Sequence, residues 1–386
     1  MIGVCIKYFH ENYGGMLQAY ATASMLEQRG LEYELIQYEK VRTIPGMVRS
    51  MPRLLNRVLL NDKYEAFLKK QGMKAHPEFA DMDKARMQCF RTFKETHFTK
   101  LSPVFKGYDA LCKGARRYSA VVTGSDQLWS PAGLPTNYYN LMFVPEDVRK
   151  ISYASSFGVS YIPWYQKGRT AEYLNRIEFI SMRENKGSQL VKDLTGRDVP
   201  TILDPVFMFD KAGWEKLIPA EKIVDEPYIL AYFLGANPEH RKAVKQAAKE
   251  LGCKIVTLPH MDQYVPADED FGDYRLYEVG PDKFLNLIRG AKYVCTDSFH
   301  GSCFAIIHGI PFVTFSRYDE NSGHSKNSRI DTLCGNLSLE NRRFGTAQDL
   351  GSRLADPIDW DLVAQKLATL KEKTDDYLNS AFDGIK

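Results

Sequence analysis

Thr296-Asp297-Ser298-Phe299-His300-Gly301-Ser302 lies between an apolar run, Ala291 to Cys295, and a helical run, Cys303 to His308. A second apolar run follows from Pro311 to Phe315. Short apolar runs on either side of a helical segment predict strand, loop, helix and strand, the unit from which parallel sheets are built. In an open α/β sheet, ligands bind where a strand ends and a helix begins, because strand ends and helix dipoles converge there. His300 falls at that junction. An imidazole titrates near neutrality and can give or take a proton with little tuning. The competing reading is a structural histidine; His308, inside the helix at its end, reads that way.

The same alternation runs outward through the chain. Strand Ile2–Tyr8 leads into the loop His10-Glu11-Asn12-Tyr13-Gly14-Gly15 and a helix from Met16 to Arg29, stopped by Gly30. Strand Glu34–Tyr38 completes a βαβ unit. Ala120–Thr123 reads as a buried strand ending in Gly124-Ser125-Asp126. Ile151–Ala154, Phe179–Met182 and Thr201–Leu203 are further strand candidates, with Asp204-Pro205 at the exit. The pattern then restarts with strand Tyr228–Leu234, helix Pro238–Leu251 and strand Lys254–Leu258. A polar loop from His260 to Pro281 and helix Asp282–Arg289 lead back to the histidine stretch. Two halves of this kind predict an α/β protein of two doubly wound, Rossmann-like domains facing across a cleft. The expected domains are 1–210 and 211–355, with the 356–386 segment, amphipathic over Trp360–Leu378, packing back on the first.

With 386 residues there is room for two cores, and 44% hydrophobic with 26% charged residues is ordinary globular composition. No run approaches the roughly 18 apolar residues of a membrane span. The amino terminus starts directly as a strand with no basic leader, and the seven cysteines form no CxxC pair. Both features read as a cytoplasmic protein with reduced thiols. Residues 40–74 hold nine Lys/Arg against two acids, and Met51, Leu54, Leu55, Val58 and Leu59 recur there beside Arg49, Arg53 and Arg57. A basic amphipathic helix of this type can lie on an anionic membrane surface, the inner face in this case, or can simply be a surface helix. Without aromatic interleaving or a nucleic-acid motif, it does not predict binding to DNA or RNA. Nothing in the sequence specifies an oligomeric state.

Familiar nucleotide loops are absent, and no His/Cys/carboxylate cluster has metal-ligand spacing, so no metal is expected. Gly14-Gly15 opens a helix with bare amides that could receive an anion, although glycines also simply make turns. Arg183, after strand Phe179–Met182, offers a planar fork for phosphate or carboxylate, or else a salt bridge to Glu184 or another acid. The segment Gly323-His324-Ser325-Lys326-Asn327-Ser328-Arg329 concentrates cations and polar donors as an anion-binding lid would, or as any solvated loop would. Asp126 could act as base for a sugar hydroxyl and Trp129 as a stacking platform, unless Trp129 is a core residue. Asp297 is close enough in sequence to orient His300, or could cap the following helix.

Taken together and in order, several of these segments resemble the polysaccharide pyruvyl transferase family. They are Asn12–Tyr20 (NYGGMLQAY), Val121–Trp129 (VVTGSDQLW), Ile151–Gly158 (ISYASSFG), Ser181–Glu184 (SMRE), Leu203–Val206 (LDPV), Asp297–Gly301 (DSFHG) and Asn327–Ile330 (NSRI). The resemblance spans most of the chain but not residues 42–115 or the loop near 260–280. It implies a GT-B-like fold and transfer of a pyruvyl group from phosphoenolpyruvate onto two hydroxyls of a sugar, giving a cyclic ketal and phosphate. Phosphoenolpyruvate is then a co-substrate, no cofactor is needed, and the acceptor is a sugar in a polysaccharide or its lipid-linked oligosaccharide precursor. The implied roles are proton transfer by His300 with Asp126. Arg183, Ser298, Gly301, Ser302, Lys326, Asn327 and Arg329 would hold the donor, and Asn12, Tyr13, Gly14, Gly15 and Trp129 the acceptor. Members of the family can carry an arginine two residues before this histidine. Here that residue is Ser298, which shifts donor contacts to the later loop or changes the donor.

Two other functions suit the same sequence. A glycosyltransferase using a nucleotide sugar would share the architecture but needs groups for a base and a diphosphate. A non-enzymatic partner at the membrane surface in envelope polysaccharide synthesis would use the basic 40–74 segment.

Overall fold

The computed structural model describes residues 1–41, 64, 67–72, 74–261, 264–317, 328–345 and 349–385. The basic, apolar-striped segment around Met51–Leu59 lies outside them, as do Lys326 and Asn327 of the expected lid.

Among the described residues, the strands form two six-stranded sheets, and all their strand pairs are parallel. The first contains β1 (Ile2–Cys5), β2 (Tyr33–Glu39), β3 (Leu101–Lys106), β4 (Ala120–Thr123), β5 (Arg149–Ser155) and β6 (Phe179–Met182). The second contains β7 (Tyr228–Tyr232), β8 (Lys254–Thr257), β9 (Tyr274–Arg275), β10 (Tyr293–Thr296), β11 (Phe312–Phe315) and β12 (Arg343–Phe344). Their orders are β3-β2-β1-β4-β5-β6 and β12-β11-β10-β7-β8-β9, so each follows the same doubly wound path. The central strands β1, β4, β7 and β11 are buried along their whole length. That is why they read as unbroken apolar runs rather than alternating ones: helices cover both faces of the sheet.

The chain order reverses between β1 and β4 in the first sheet, and between β7 and β10 in the second. Ligand crevices of open parallel sheets form at such reversals, outside the carboxyl ends of the strands. Four loops are thereby singled out, those after β1, β4, β7 and β10.

Helices supply the second layer: α1 (Tyr13–Gln28), α2 (Pro77–His97), α3 (Tyr108–Gly114), α4 (Lys167–Arg176), α5 (Asn185–Thr195) and α6 (Lys211–Leu217) in the first part of the chain. They are followed by α7 (Pro238–Leu251), α8 (Pro281–Gly290), α9 (Phe299–His308), α10 (Ser328–Leu337), α11 (Leu350–Ala355) and α12 (Trp360–Phe382). The Asn12 side chain caps α1 by accepting from Gly15 N at 2.9 Å, and Ser298 caps α9 by accepting from Gly301 N at 3.3 Å. Helix α9 therefore starts four residues before the predicted Cys303. His300 sits in its first turn instead of the preceding loop.

The two sheets share one continuous apolar core. Tyr13, at the start of α1, stacks on Phe284 of α8 (centroids 4.7 Å apart, planes 8° apart) and packs edge-on to Tyr232 of β7. From α2, Arg86 reaches across to the second sheet and donates to the carbonyls of Pro259 (2.7 Å), Leu276 (2.8 Å) and Tyr277 (3.1 Å). Helix α12 packs on the first half: Tyr377 Oη donates to Ser152 O of β5 at 2.7 Å, and Arg29, directly after α1, pairs with Asp375 at 2.5 Å.

Some predicted elements take a different form. Thr201–Leu203 is not a strand; Thr201 makes a single bridge to Met182. The polar loop after Leu258 contains the short β9. Helix α2 and strand β3 fall in the stretch without a readable pattern, since β3 is an edge strand that tolerates Pro103 and alternates weakly. Among the described residues, no helix is long and apolar enough to cross a membrane.

Candidate active site

The four loops at the two chain reversals do meet. A pocket of about 210 Å³ lies between the sheets. It takes Lys7, His10, Asn12 and Gly15 from beyond β1, and Asp126 and Gln127 from beyond β4. Leu234 comes from beyond β7, Asp297 to His300 from beyond β10, and Arg317, Arg329 and Ile330 from beyond β11.

The imidazole of His300 lines this pocket with 7% of its side chain exposed. Gly14 makes the placement possible: a Cβ there would fall within the space of the His300 ring. On its other side, Nε2 of His300 lies 3.4 Å from Asp204 Oδ2 and 3.5 Å from Arg183 Nη1. Asp204 is held in turn, accepting from Arg183 Nη1 at 2.7 Å and from Ser125 Oγ at 2.7 Å. Burial alone would raise the Asp204 carboxyl, but the neighbouring His300 and Arg183 outweigh it and hold it well below the usual carboxylate range.

Asp126 is the second acid of the site. Its backbone has φ of 77°, the left-handed region that costs a non-glycine residue roughly 1–3 kcal/mol. This turn aims the carboxylate between Lys7 (3.6 Å) and Arg183 Nη2 (3.8 Å). Against the effect of burial, Lys7, Arg183 and His300 keep it well below the ordinary value, so it stays ionised. A carboxylate that acidic is a weak general base; it serves better as a fixed acceptor for a hydroxyl hydrogen.

Arg183 itself has 1% of its side chain exposed and is engaged by Asp204 and Asp126. Its acid partner is Asp204, not the adjacent Glu184, whose carboxylate accepts from Ser156 Oγ at 2.8 Å and is raised by burial. The Arg183 guanidinium also lies over the Phe299 ring, 4.5 Å from its centre. It braces His300 and Asp126 from behind and does not line the pocket. Arg329 does line it, at the start of α10. With its amide oxygen turned toward that guanidinium, Gln127 accepts from Nη2 and Nη1 at 2.7 and 2.9 Å.

Several sequence-derived candidates have other duties. Trp129 is 1% exposed, donates its indole N–H to Tyr139 O at 3.0 Å, and packs edge-on to Tyr173, so no ring face is left for a sugar. Tyr13 is buried between the sheets, and its hydroxyl donates to Val279 O at 3.0 Å. Ser302 is buried and donates to Ser298 O at 3.2 Å, while Gly301 allows α9 to approach Thr296 closely. Asn12, Gly15 and Ser298 do line the pocket, though the Asn12 and Ser298 side chains are engaged as helix caps.

Asp297 neither orients His300 nor caps α9. Its two oxygens accept from Leu234 N (2.7 Å) and Gly235 N (2.8 Å), the amides that follow β7. His308 is buried, and burial pushes its imidazole down to about 3, which keeps it neutral. Sequence reasoning missed Asp204, Lys7, Gln127 and Arg317. Asp204 carried one signal, the Leu203-Asp204-Pro205 exit among the ordered motifs. Lys7 could have been found as the first charged residue after the apolar run Ile2–Ile6, had the strand been ended there and not at Tyr8.

Twin doubly wound sheets with a polar pocket at both reversals define a GT-B-like protein with a candidate acid–base centre. Over residues 12–319 the chain matches the family model for polysaccharide pyruvyl transferase, and it belongs to that family. No curated protein sequence matches it. Among solved structures, it resembles a putative UDP-N-acetylglucosamine 2-epimerase from Listeria monocytogenes at TM-score 0.51 and 10% identity, over 100% of this chain and 97% of that one. The glycosyltransferase SnogD from Streptomyces nogalater is similar at TM-score 0.45 and 10% identity, over 99% and 98% of the two chains. Likeness at this identity concerns the fold alone.

Proposed function

We propose that this protein transfers a pyruvyl group from phosphoenolpyruvate to two hydroxyls of a sugar, with the His300 pocket as the donor site. The observation that carries the reading is a histidine in contact with an anion-sized pocket, braced by Asp204 and Arg183 at the joint strand ends of both sheets.

The reaction needs a proton on the methylene carbon of the enol as a sugar hydroxyl adds to the neighbouring carbon. His300 is the group to supply that proton. The carbon–oxygen bond to phosphate then breaks, and the second hydroxyl closes the ketal. Of the two hydroxyl hydrogens, one ends in the new methyl group and the other leaves with phosphate or on the imidazole. Lys7, Arg329 and Arg317 line the pocket and supply positive charge for the carboxylate and departing phosphate. Lys326 remains a candidate for the same task, and Asn327 for an amide hydrogen bond to the donor. Asp126, fixed beside Lys7, accepts from an incoming hydroxyl. With Ser298 capping α9 in place of an arginine, donor charge compensation falls to Lys7, Arg317 and Arg329.

The nucleotide-sugar reading is disfavoured by Asp297. A diphosphate would find an anion site at the amides after β7, and there the Asp297 carboxylate already sits.

The test is incubation with phosphoenolpyruvate and candidate acceptors, following free phosphate and the mass of the acceptor. Phosphate release together with a pyruvate ketal is the expected result. Turnover of a UDP-sugar in place of phosphoenolpyruvate would overturn the reading.

A further inference from the structure

Two large rings stand in the open on the turn that precedes α4. Trp164 is 83% exposed and Tyr165 45%, and the pair packs edge-on with ring centres 5.8 Å apart. Tryptophan is on average a well-buried residue, so one left this far out marks a contact surface. From this turn and the charges beside it we propose that Trp164, Tyr165, Lys167 and Arg169 seat the protein on the headgroup layer of an anionic lipid bilayer. The docking does not depend on the pyruvyl-transfer reading; only its use, bringing a lipid-linked sugar to the site, rests on that reading.

The local fold explains why the rings are displayed. Val159 and Ile162 are buried in the cluster that holds Leu128 and Trp129, and buried Gln166 donates to Pro131 O at 3.2 Å. Anchored on both sides, the short 3-10 turn Trp164–Gln166 holds its first two side chains outward and runs directly into α4. Lys167 and Arg169 follow as exposed residues in the first turn of that helix. Lys167 comes three positions after Trp164 and Arg169 four after Tyr165, the spacing that puts ring and cation side by side on a helical surface.

Charge and chemistry choose the occupant. Within residues 151–171 the sequence carries two charged residues, Lys167 and Arg169, and the loop of residues 127–145 beneath carries none. Glu172, farther along α4, is the next acid. Trp and Tyr beside Lys and Arg suit a membrane–water interface, where amphipathic rings settle among headgroups and cations meet anionic lipid. The exposed parts of the two rings amount to on the order of 200–300 Å². A stable protein interface takes roughly 800 Å² from each partner. Neither ring lines the His300 pocket or the cleft of about 810 Å³ beside it, which shares Lys7, His10 and Gln127 with that pocket, so the rings are not the walls of a sugar cleft. The cleft is nonetheless close. Ser130 and Ala132, on either side of the Pro131 that Gln166 holds, line it.

Co-sedimentation of the full chain with vesicles of phosphatidylcholine, with and without phosphatidylglycerol and in the absence of donor and acceptor, tests this. Binding to the anionic vesicles should exceed binding to the neutral ones by about tenfold or more and should weaken as salt is added. Trp164 is the most exposed of the four tryptophans, so vesicles should shift tryptophan emission to the blue, and Trp164→Phe should remove most of that shift. The double variants Trp164→Ala/Tyr165→Ala and Lys167→Ala/Arg169→Ala, all at exposed positions, should each weaken binding to anionic vesicles by about tenfold. The proposal is overturned by no binding at millimolar lipid, by equal binding to neutral and anionic vesicles, or by binding that either double variant leaves unchanged. An emission shift produced by a soluble oligosaccharide and not by vesicles would overturn it too. Failure of phosphoenolpyruvate to stabilise the protein in a thermal-shift assay would instead sink the pyruvyl-transfer reading, and the vesicle result would stand.

Discussion

Gly14 of α1 and His300 of α9 are packed so closely that a methyl group on Gly14 would occupy the imidazole's place. The first turn of the first helix is thus shaped to receive a side chain from the second sheet. A glycine that the sequence suggests as an anion-binding amide instead makes room for a ring. Gly14→Ala should therefore act as an indirect His300 mutation, with turnover down about 100-fold or more and a core that still folds. Assay and circular dichroism on the same preparation check it. Activity within a few-fold of wild type would mean that the ring's position is not critical.

Removing the imidazole itself is the direct test of proton transfer. His300→Ala should lower kcat by about 100- to 10,000-fold, the usual worth of a positioned acid–base group. Donor affinity should change little, because the cations lining the pocket remain. Solvent-deuterium incorporation into the product methyl group follows the same step independently.

Asp204 is a positioning residue, acting through His300 and Arg183. Asp204→Asn keeps the shape but removes the charge opposite both groups. Turnover should fall and its pH profile should move, whereas a purely structural role would change amplitude without moving the profile. Double substitution with His300→Ala should be far from additive, since the two act as one unit.

The same carboxylates set an acid limit on stability. Asp204 and Asp126 are both held below the usual carboxylate value by neighbouring cationic groups. A depressed folded-state value stabilises the fold at pH above the unfolded value, about 4, and that stabilisation is lost as pH falls through the folded value. Thermal stability should hardly respond to these groups between pH 7 and 5 and should drop below about pH 4. In Asp204→Asn the acid limb should be shallower; an unchanged limb would show that Asp204 does not contribute to it.

Arg86 joins the two sheets through three backbone carbonyls while only 4% exposed. Arg86→Ala strands those carbonyls and should cost about 2–4 kcal/mol, read as a lower urea midpoint. Appearance of a separate, earlier unfolding phase for one half of the chain in the variant would show how far this arginine couples the two.

Legibility followed range along the chain. Ala120–Thr123, Phe179–Met182 and Pro238–Leu251 were readable to the residue, because continuous apolar strands and a capped amphipathic helix are local patterns. The histidine stretch was readable for the same reason as far as the strand-to-helix junction, although the helix begins at Phe299, four residues earlier than its apolar run suggests. Edge strand β3 and the bridging helix α2 were not, because partial burial blurs the period.

By itself the sequence determined two alternating α/β halves and a histidine at a strand-to-helix junction, since each follows from the spacing of apolar residues within one turn or strand. Only the tertiary structure decided that Asp204, not Asp297, faces that histidine. It also decided that Arg183 is engaged by acids, and that Tyr13 and Trp129 belong to the core. Those outcomes depend on which distant segments the folded sheets bring within a few ångströms, and electrostatic partners and burial are properties of that proximity, not of neighbouring positions in the chain.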